Sequence, residues 1–126
     1  MADKPNVVFI FSDQQRSDTM RCYGNDWIET PNLNALASQS FVFRNAYVTQ
    51  PVCTPARASI LTGLYPHTAG PTVNQIALPP KVPTMAEMVS EGYLCGYFGK
   101  WQLGDDVIAQ HGVEEWVRTE DGHRTE

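Results

Sequence analysis

The sequence is poor in charge and in long apolar runs, and each shortage excludes a class of protein. Charged residues make up 18% of the 126 residues and apolar residues 42%, which argues against an intrinsically disordered chain. No apolar run approaches the ~20 residues that cross a bilayer. The start of the chain also lacks the apolar region of a signal peptide. We therefore expect a cytoplasmic protein without membrane attachment.

Positive charge and cysteine are scarce as well. Nine lysines and arginines face fourteen aspartates and glutamates, which gives a formal net charge of −5. This balance provides no general attraction for nucleic acid, so an anion-binding site must be a local cluster of cations. The three cysteines, Cys22, Cys53 and Cys95, suggest neither a disulfide framework nor a zinc site, because they are few and no Cys-x-x-Cys occurs.

Short apolar segments alternate with helical patterns along the chain. The segments that are apolar and rich in β-branched or aromatic residues are predicted strands: 6–12, 41–48 and 93–98. The segments with helix-capping residues at their ends are predicted helices: 30–40, 53–63 and 85–91. Residues 64–83 contain five prolines and one glycine and are predicted to be a loop. The alternation indicates an α/β fold with a mainly parallel sheet flanked by helices.

Polar side chains follow two of the predicted strands. Asp13 and Gln14 come directly after the first strand, and Lys100 and Gln102 follow the last. Because ligands bind at the carboxyl ends of parallel strands, we expect these side chains to converge on one edge of the sheet.

A predicted helix supplies a thiol and a further cation. Cys53 starts this helix, where the helix dipole is positive, and Arg57 lies one turn further on the same side. A carboxylate, a thiol and two cations at one edge form a plausible site for a tetrahedral oxyanion.

The stretch Cys-Thr-Pro-Ala-Arg at 53–57 resembles the Cys-x-Pro-x-Arg signature of the type I sulfatases. The neighbouring segments match that family in the same order, with Asn-Val-Val-Phe-Ile at 6–10, Thr-Pro-Asn-Leu at 30–33 and Gly-Lys-Trp-Gln-Leu-Gly at 99–104. The resemblance covers nearly the whole chain. It implies that residues 1–126 form the N-terminal part of a sulfatase catalytic domain with an alkaline phosphatase-like fold.

In that family the motif cysteine is oxidised to formylglycine, an aldehyde that is hydrated in the resting enzyme. The resemblance implies that Cys53 is modified in this way by a formylglycine-generating enzyme that reads Pro55 and Arg57. One hydroxyl of the diol then attacks sulfur and expels the alcohol, and sulfate leaves by C–O cleavage. Arg57 would contact the formylglycine and Asp13. The implied substrate is a small sulfate ester or a sulfated glycan.

The resemblance also implies a divalent cation, calcium in most members, bound by Asp13, Gln14 and the modified Cys53. Gln14 stands where many members have a second aspartate, and its amide oxygen is still a suitable ligand. Lys100 would contact the sulfate and the diol. Gln102 replaces the usual histidine of the family. Glutamine does not titrate near neutral pH, although it still forms hydrogen bonds.

Family members are several times longer than 126 residues and take further metal ligands, a histidine and a second lysine from later segments. We therefore expect these 126 residues to be inactive by themselves. Two other functions remain open. One is a formylglycine-dependent phosphonate monoester or phosphodiester hydrolase, which shares the Asp-Gln pair. The other is a non-catalytic, sulfatase-derived binding module, which Gln102 and the short length favour.

Several tryptophans and histidines carry structural predictions rather than catalytic ones. The three tryptophans, Trp27, Trp101 and Trp116, are expected to be packing residues. His111 and His123 lie in the acidic last part of the chain and are expected at the surface.

Overall fold

The computed structural model describes residues 4–89, 91–105 and 107–117 and divides the chain into two units, Met1–Ala46 and Tyr47–Glu126. Four α-helices lie within the described residues: α1 (Pro31–Ser38), α2 (Cys53–Thr62), α3 (Pro66–Ala69) and α4 (Met85–Met88). Two described strands, β1 (Gly96–Phe98) and β2 (Glu115–Val117), pair in parallel. The parallel pairing and the helices agree with the predicted α/β class.

The first unit contains α1 and two short 3-10 helices, Ser17–Thr19 and Arg21–Tyr23. The Thr30–Pro31 pair predicts the start of α1, and the helix does begin at Pro31. After α1 the chain returns to the second 3-10 helix, because the Tyr23 hydroxyl donates to the carbonyl of Phe43 at 2.9 Å. Hydrogen bonds from side chains stabilise the described part of this unit. A buried core does not, since α1 buries none of its residues.

The predicted strands over 6–12 and 41–48 are absent from the described structure, so both predictions are wrong. Ile10, at the centre of the first apolar run, is 87% exposed. A strand satisfies its backbone N–H and C=O groups by pairing with a neighbour. Within the described residues only β1 and β2 pair. The two apolar runs therefore have no described partner that would make them strands.

The second unit packs around α2, which runs as the sequence predicts. The helix ends at Gly63 in the left-handed conformation, with φ of 71°. The buried apolar side chains of the described core are Ala58, Leu61, Ala69, Leu78, Trp101 and Leu103. Ala69 belongs to α3, which begins at Pro66 inside the predicted loop. A proline at the first helical position, where no N–H is needed, explains this short helix.

The remaining described elements are α4 and the two strands, β1 and β2. Thr84 and Glu87 form a capping box at the start of α4, in which the N–H of Thr84 donates to Glu87 Oε2 at 2.8 Å. The helix ends at Met88, because the next residue, Val89, is extended. β1 is shorter than the predicted strand over 93–98, and its central residue Tyr97 pairs in register with Trp116 of β2. Within the described residues no helix has the length and apolar character needed to cross a membrane.

Candidate active site

In the first turn of α2, Cys53 is partly exposed, and the next two residues, Thr54 and Pro55, are buried. Pro55 has no N–H, and the N–H of Ala56 makes the first helical bond, to the carbonyl of Val52 at 2.9 Å. The N–H of Thr54 donates to Asn74 Oδ1 at 3.0 Å, so a residue from the loop after α3 caps this turn. Asn74 is not among the predicted site residues, and its only signal in the sequence is that asparagine is a common helix cap.

Lys100 reaches Cys53 from the segment that follows β1. Its Nζ atom lies 3.7 Å from Cys53 Sγ, and both residues are half-buried. The three cysteines of the chain are free, as the sequence predicts. The second unit therefore brings together a free thiol and an ammonium group that are 47 residues apart in the chain.

Arg57 lies one turn after Cys53 and is only 6% exposed. Its Nη1 donates to the carbonyl of Lys100 at 2.6 Å and to the hydroxyl of Tyr97 at 3.1 Å. The Tyr97 hydroxyl in turn donates to the carbonyl of Lys100. The guanidinium thus ties the first turn of α2 to the backbone of Lys100.

Tyr97 is a second residue that the sequence analysis missed, because it lies inside a predicted strand and belongs to no quoted motif. Burial raises the pKa of its hydroxyl above the ordinary value, and the positive charge of Arg57 opposes part of this rise. Its ring lies 5.0 Å from that of Trp101 and 5.6 Å from that of Trp116.

Gln102 lies in the same segment as Lys100 and is half-buried. Its backbone is left-handed, with φ of 58°, a region that costs an L-residue about 1–2 kcal/mol. Gln14 in the first unit is also left-handed, with φ of 50°. Gln75 and His111, which are not predicted site residues, also have positive φ, so this conformation does not distinguish the two candidate glutamines.

Asp13 and Gln14 lie in the first unit and are both exposed. Their oxygens are of the type that Ca²⁺ binds, but this ion takes about six to eight oxygen ligands. The described residues contain no group of three or more His, Cys, Asp or Glu side chains that could hold a metal ion. The described residues alone therefore do not complete a metal site.

The aromatic predictions have different outcomes. Trp101 is buried and Trp116 packs against the core, as expected, whereas Trp27 is 95% exposed and that prediction is wrong. His111 is not a surface histidine, because its side chain is only 5% exposed. His123 lies outside the described residues. His111 packs beside Trp101, and its Nδ1 lies 3.9 Å from Glu87 Oε2. The sequence could not show this contact, which depends on the packing of the last part of the chain on α4.

The arrangement around Cys53 is suited to an anion. Lys100 and Arg57 provide two positive charges, and the N-terminus of α2 adds a positive dipole. A chain with a net charge of −5 needs such a local cluster of cations to attract an anion.

Comparison with known proteins gives one consistent result. The Sulfatase family profile matches residues 5–123. The chain is 46% identical over 101 residues to the ulvan-active sulfatase of Formosa agariphila, covering 79% of this chain and 20% of that protein. It is 39% identical over 112 residues to human arylsulfatase A, covering 82% and 22%. It spans about a fifth of the length of these curated relatives.

The fold is also similar to that of a solved structure. That structure contains a protein in complex with its substrate, D-glucosamine-2-N,6-O-disulfate, and it superposes on this chain with a TM-score of 0.82 at 31% sequence identity. The match covers 90% of this chain and 23% of the other.

Proposed function

The chain belongs to the sulfatase family, and from this premise we propose that it supplies the nucleophile and two cations of a sulfuric ester hydrolase. The prediction of an α/β fold of the alkaline phosphatase-like type is confirmed by the similarity to solved sulfatase structures. The extent of the catalytic domain, residues 1–126 as one part of a longer whole, stays a prediction.

One observation carries the proposal: Lys100 Nζ lies 3.7 Å from Cys53 Sγ. The sulfur is bonded to the carbon atom that carries the oxygen of formylglycine after conversion. An ammonium group at this distance favours negative charge both on a nucleophile at residue 53 and on the oxygens of a bound sulfate. Lys100 is therefore the residue that orients the sulfate against the nucleophile.

Arg57 has a different role in the proposal. Two of its hydrogen bonds go to the Lys100 carbonyl and to Tyr97, so its guanidinium fixes the segment that carries Lys100. Its charge also adds to the local positive field around residue 53. Gln102 gives the site a hydrogen-bonding amide that does not titrate near neutral pH.

Two chemical groups belong to the proposal through the family. Formylglycine, made from Cys53 by a modifying enzyme that reads Pro55 and Arg57, supplies a hydrated aldehyde as the nucleophile. A divalent cation, calcium in most members, would use Asp13 and Gln14 among its ligands. Because the described residues do not complete that metal site, we assign no step to the metal.

The proposed substrate class also comes from the relatives. One relative is named for its activity on ulvan, and the structural neighbour binds a disulfated glucosamine. We extend this to a sulfated carbohydrate as the substrate here. The cytoplasmic location inferred from the sequence also stays part of the proposal.

The test uses the full-length protein purified from its own host. Peptide mass spectrometry reads the state of residue 53, and turnover of an aryl sulfate is compared with that of an aryl phosphonate ester. We expect a loss of mass corresponding to thiol becoming aldehyde, a preference for the sulfate ester, and no turnover by a Cys53→Ala variant.

Three results would contradict this proposal. Preference for the aryl phosphonate ester would indicate the phosphonate or phosphodiester hydrolase. An unmodified thiol with no turnover, but with binding of inorganic sulfate, would indicate the non-catalytic binding module. Full activity of Cys53→Ala would exclude residue 53 as the nucleophile.

A further inference from the structure

Tyr97 connects the two cations of the candidate site, although no motif in the sequence includes it. We propose that Tyr97 is a positioning residue that holds Arg57 and the backbone of Lys100 in place, so that Lys100 stays beside residue 53. The inference rests on the proposed function for its catalytic consequence. Its structural consequence, the position of Lys100 relative to residue 53, is measured without any activity.

The hydrogen bonds around the Tyr97 hydroxyl form a closed triangle. Arg57 Nη1 donates to the Tyr97 oxygen at 3.1 Å and to the Lys100 carbonyl at 2.6 Å. The Tyr97 hydroxyl uses its own proton to donate to the same carbonyl. A guanidinium only donates and a carbonyl only accepts, so a hydroxyl is the group that completes this triangle.

The triangle also depends on a phenol that stays protonated. Burial raises the pKa of Tyr97, so its hydroxyl remains a donor to the Lys100 carbonyl throughout the neutral range. Arg57 is nearly buried, and a charge in that position needs acceptors within the protein.

Packing fixes where this hydroxyl lies. The Tyr97 ring meets the Trp101 ring edge to face at 5.0 Å and stacks on the Trp116 ring at 5.6 Å. Trp116 is its partner in the parallel pair of β1 and β2. The hydroxyl is therefore carried by a short sheet and two aromatic contacts rather than by a loop. Sites supported in this way hold their geometry closely.

Tyr97→Phe removes the hydroxyl and keeps the ring. In the variant the Lys100 carbonyl loses one donor and Arg57 loses one acceptor, so of the triangle only the bond from Arg57 to the Lys100 carbonyl still ties α2 to the segment after β1. We expect Lys100 Nζ to leave its position 3.7 Å from residue 53 for part of the time. Tyr47→Phe is the matched control, because Tyr47 is 89% exposed.

The first measurement is the rate at which residue 53 is labelled in the full-length protein. Iodoacetamide labels it when it is a thiol, and a hydrazide labels it when it is an aldehyde. Site-resolved mass spectrometry follows Cys22 and Cys95 as internal references. A Lys100→Met variant calibrates the effect of losing the ammonium group. We expect Tyr97→Phe to move the rate at residue 53 several-fold toward that of Lys100→Met, with both reference cysteines unchanged.

Three outcomes of the labelling would overturn the inference. One is a Tyr97→Phe rate at residue 53 equal to that of wild type. Another is a Lys100→Met variant that also labels like wild type, which would mean that the contact does not affect this residue. The third is an equal change in rate at Cys95, since a local loosening of β1 would then explain the result.

The second measurement is kinetic. In an active protein, Tyr97→Phe should lower kcat/KM for an aryl sulfate about three- to tenfold, the factor that one net hydrogen bond represents. An unchanged kcat/KM would contradict a positioning role. If the wild-type protein hydrolyses no sulfate ester, the proposed function fails, and the labelling still decides the role of Tyr97.

If Tyr97→Phe fails to fold, a second variant tests the same inference. A ring-fluorinated tyrosine at position 97 retains the hydroxyl but ionises at lower pH. Its labelling rate at residue 53 should show an additional pH-dependent step where the phenol loses its proton and can no longer donate. Absence of that step would overturn the inference.

Discussion

Asn74 caps the helix that carries Cys53, and its replacement offers the sharpest test of the site's architecture. In Asn74→Ala the N–H of Thr54 loses its acceptor at 3.0 Å, and Thr54 itself is fully buried. Loss of a helix cap costs about 1–2 kcal/mol. If the first turn of α2 opens locally, its slowly exchanging amides should exchange about 5 to 30 times faster.

Hydrogen exchange with mass spectrometry on the full-length protein measures this effect directly. The peptide over Cys53–Thr62 should lose protection, and the peptide over Met85–Met88 serves as an internal reference. Asn74→Asp is the matched variant, because it keeps the acceptor oxygen and adds a favourable negative charge at a helix N-terminus. It should restore the protection of α2.

The same Asn74→Asp variant should weaken the binding of inorganic sulfate, since it adds a negative charge beside a site for an anion. If the amides of α2 in Asn74→Ala exchange at the wild-type rate, Asn74 does not cap this helix. The capping role is also refuted if Asn74→Asp exchanges as fast as Asn74→Ala, because the acceptor oxygen would then not be the group that protects the helix.

Three further predictions follow from single contacts. Lys100→Met should weaken the binding of inorganic sulfate about tenfold or more, measured by calorimetry, and unchanged affinity would exclude Lys100 from the site. Because the pKa of Tyr97 is raised above its unfolded value of 10.0, its contribution to stability is fully present below pH 10 and is lost as the pH rises through the folded pKa. The urea midpoint should therefore fall more steeply above pH 10 in wild type than in Tyr97→Phe, and equal slopes would contradict the raised pKa. Gly112→Ala should lower the melting temperature more than Gly63→Ala, because both have positive φ but only at Gly112 would the new Cβ meet a backbone atom, the N of Glu87 at 2.8 Å. Equal melting temperatures would show that this contact relaxes at no cost.

The sequence predicted well wherever local chemistry decides the structure. α2 runs between Cys53 and Thr62 because a proline suits its first turn and Gly63 takes the left-handed conformation after it. The 3.6-residue period of a helix then fixes Arg57 one turn beyond Cys53. Thr84 and Glu87 form a capping box that starts α4.

The sequence failed where structure depends on a partner segment. The run over 6–12 has the composition of a buried strand, yet hydrogen bonding between strands requires a second segment at the right distance. Leu36 has the spacing of a buried helical residue, but it is exposed, since nothing described covers that face of α1. The composition of a segment limits the secondary structures that it can form, and its contacts in the folded chain determine which of them it adopts.

The amino-acid sequence by itself determined the family, the helix that begins at Cys53 and the negative net charge. Only the tertiary structure decided that Lys100 lies 3.7 Å from Cys53, that Asn74 caps Thr54 and that Tyr97 links Arg57 to Lys100. These contacts join residues 20 to 47 positions apart. Helix caps and turns are set by neighbours along the chain, whereas such contacts exist only once packing has brought distant segments together.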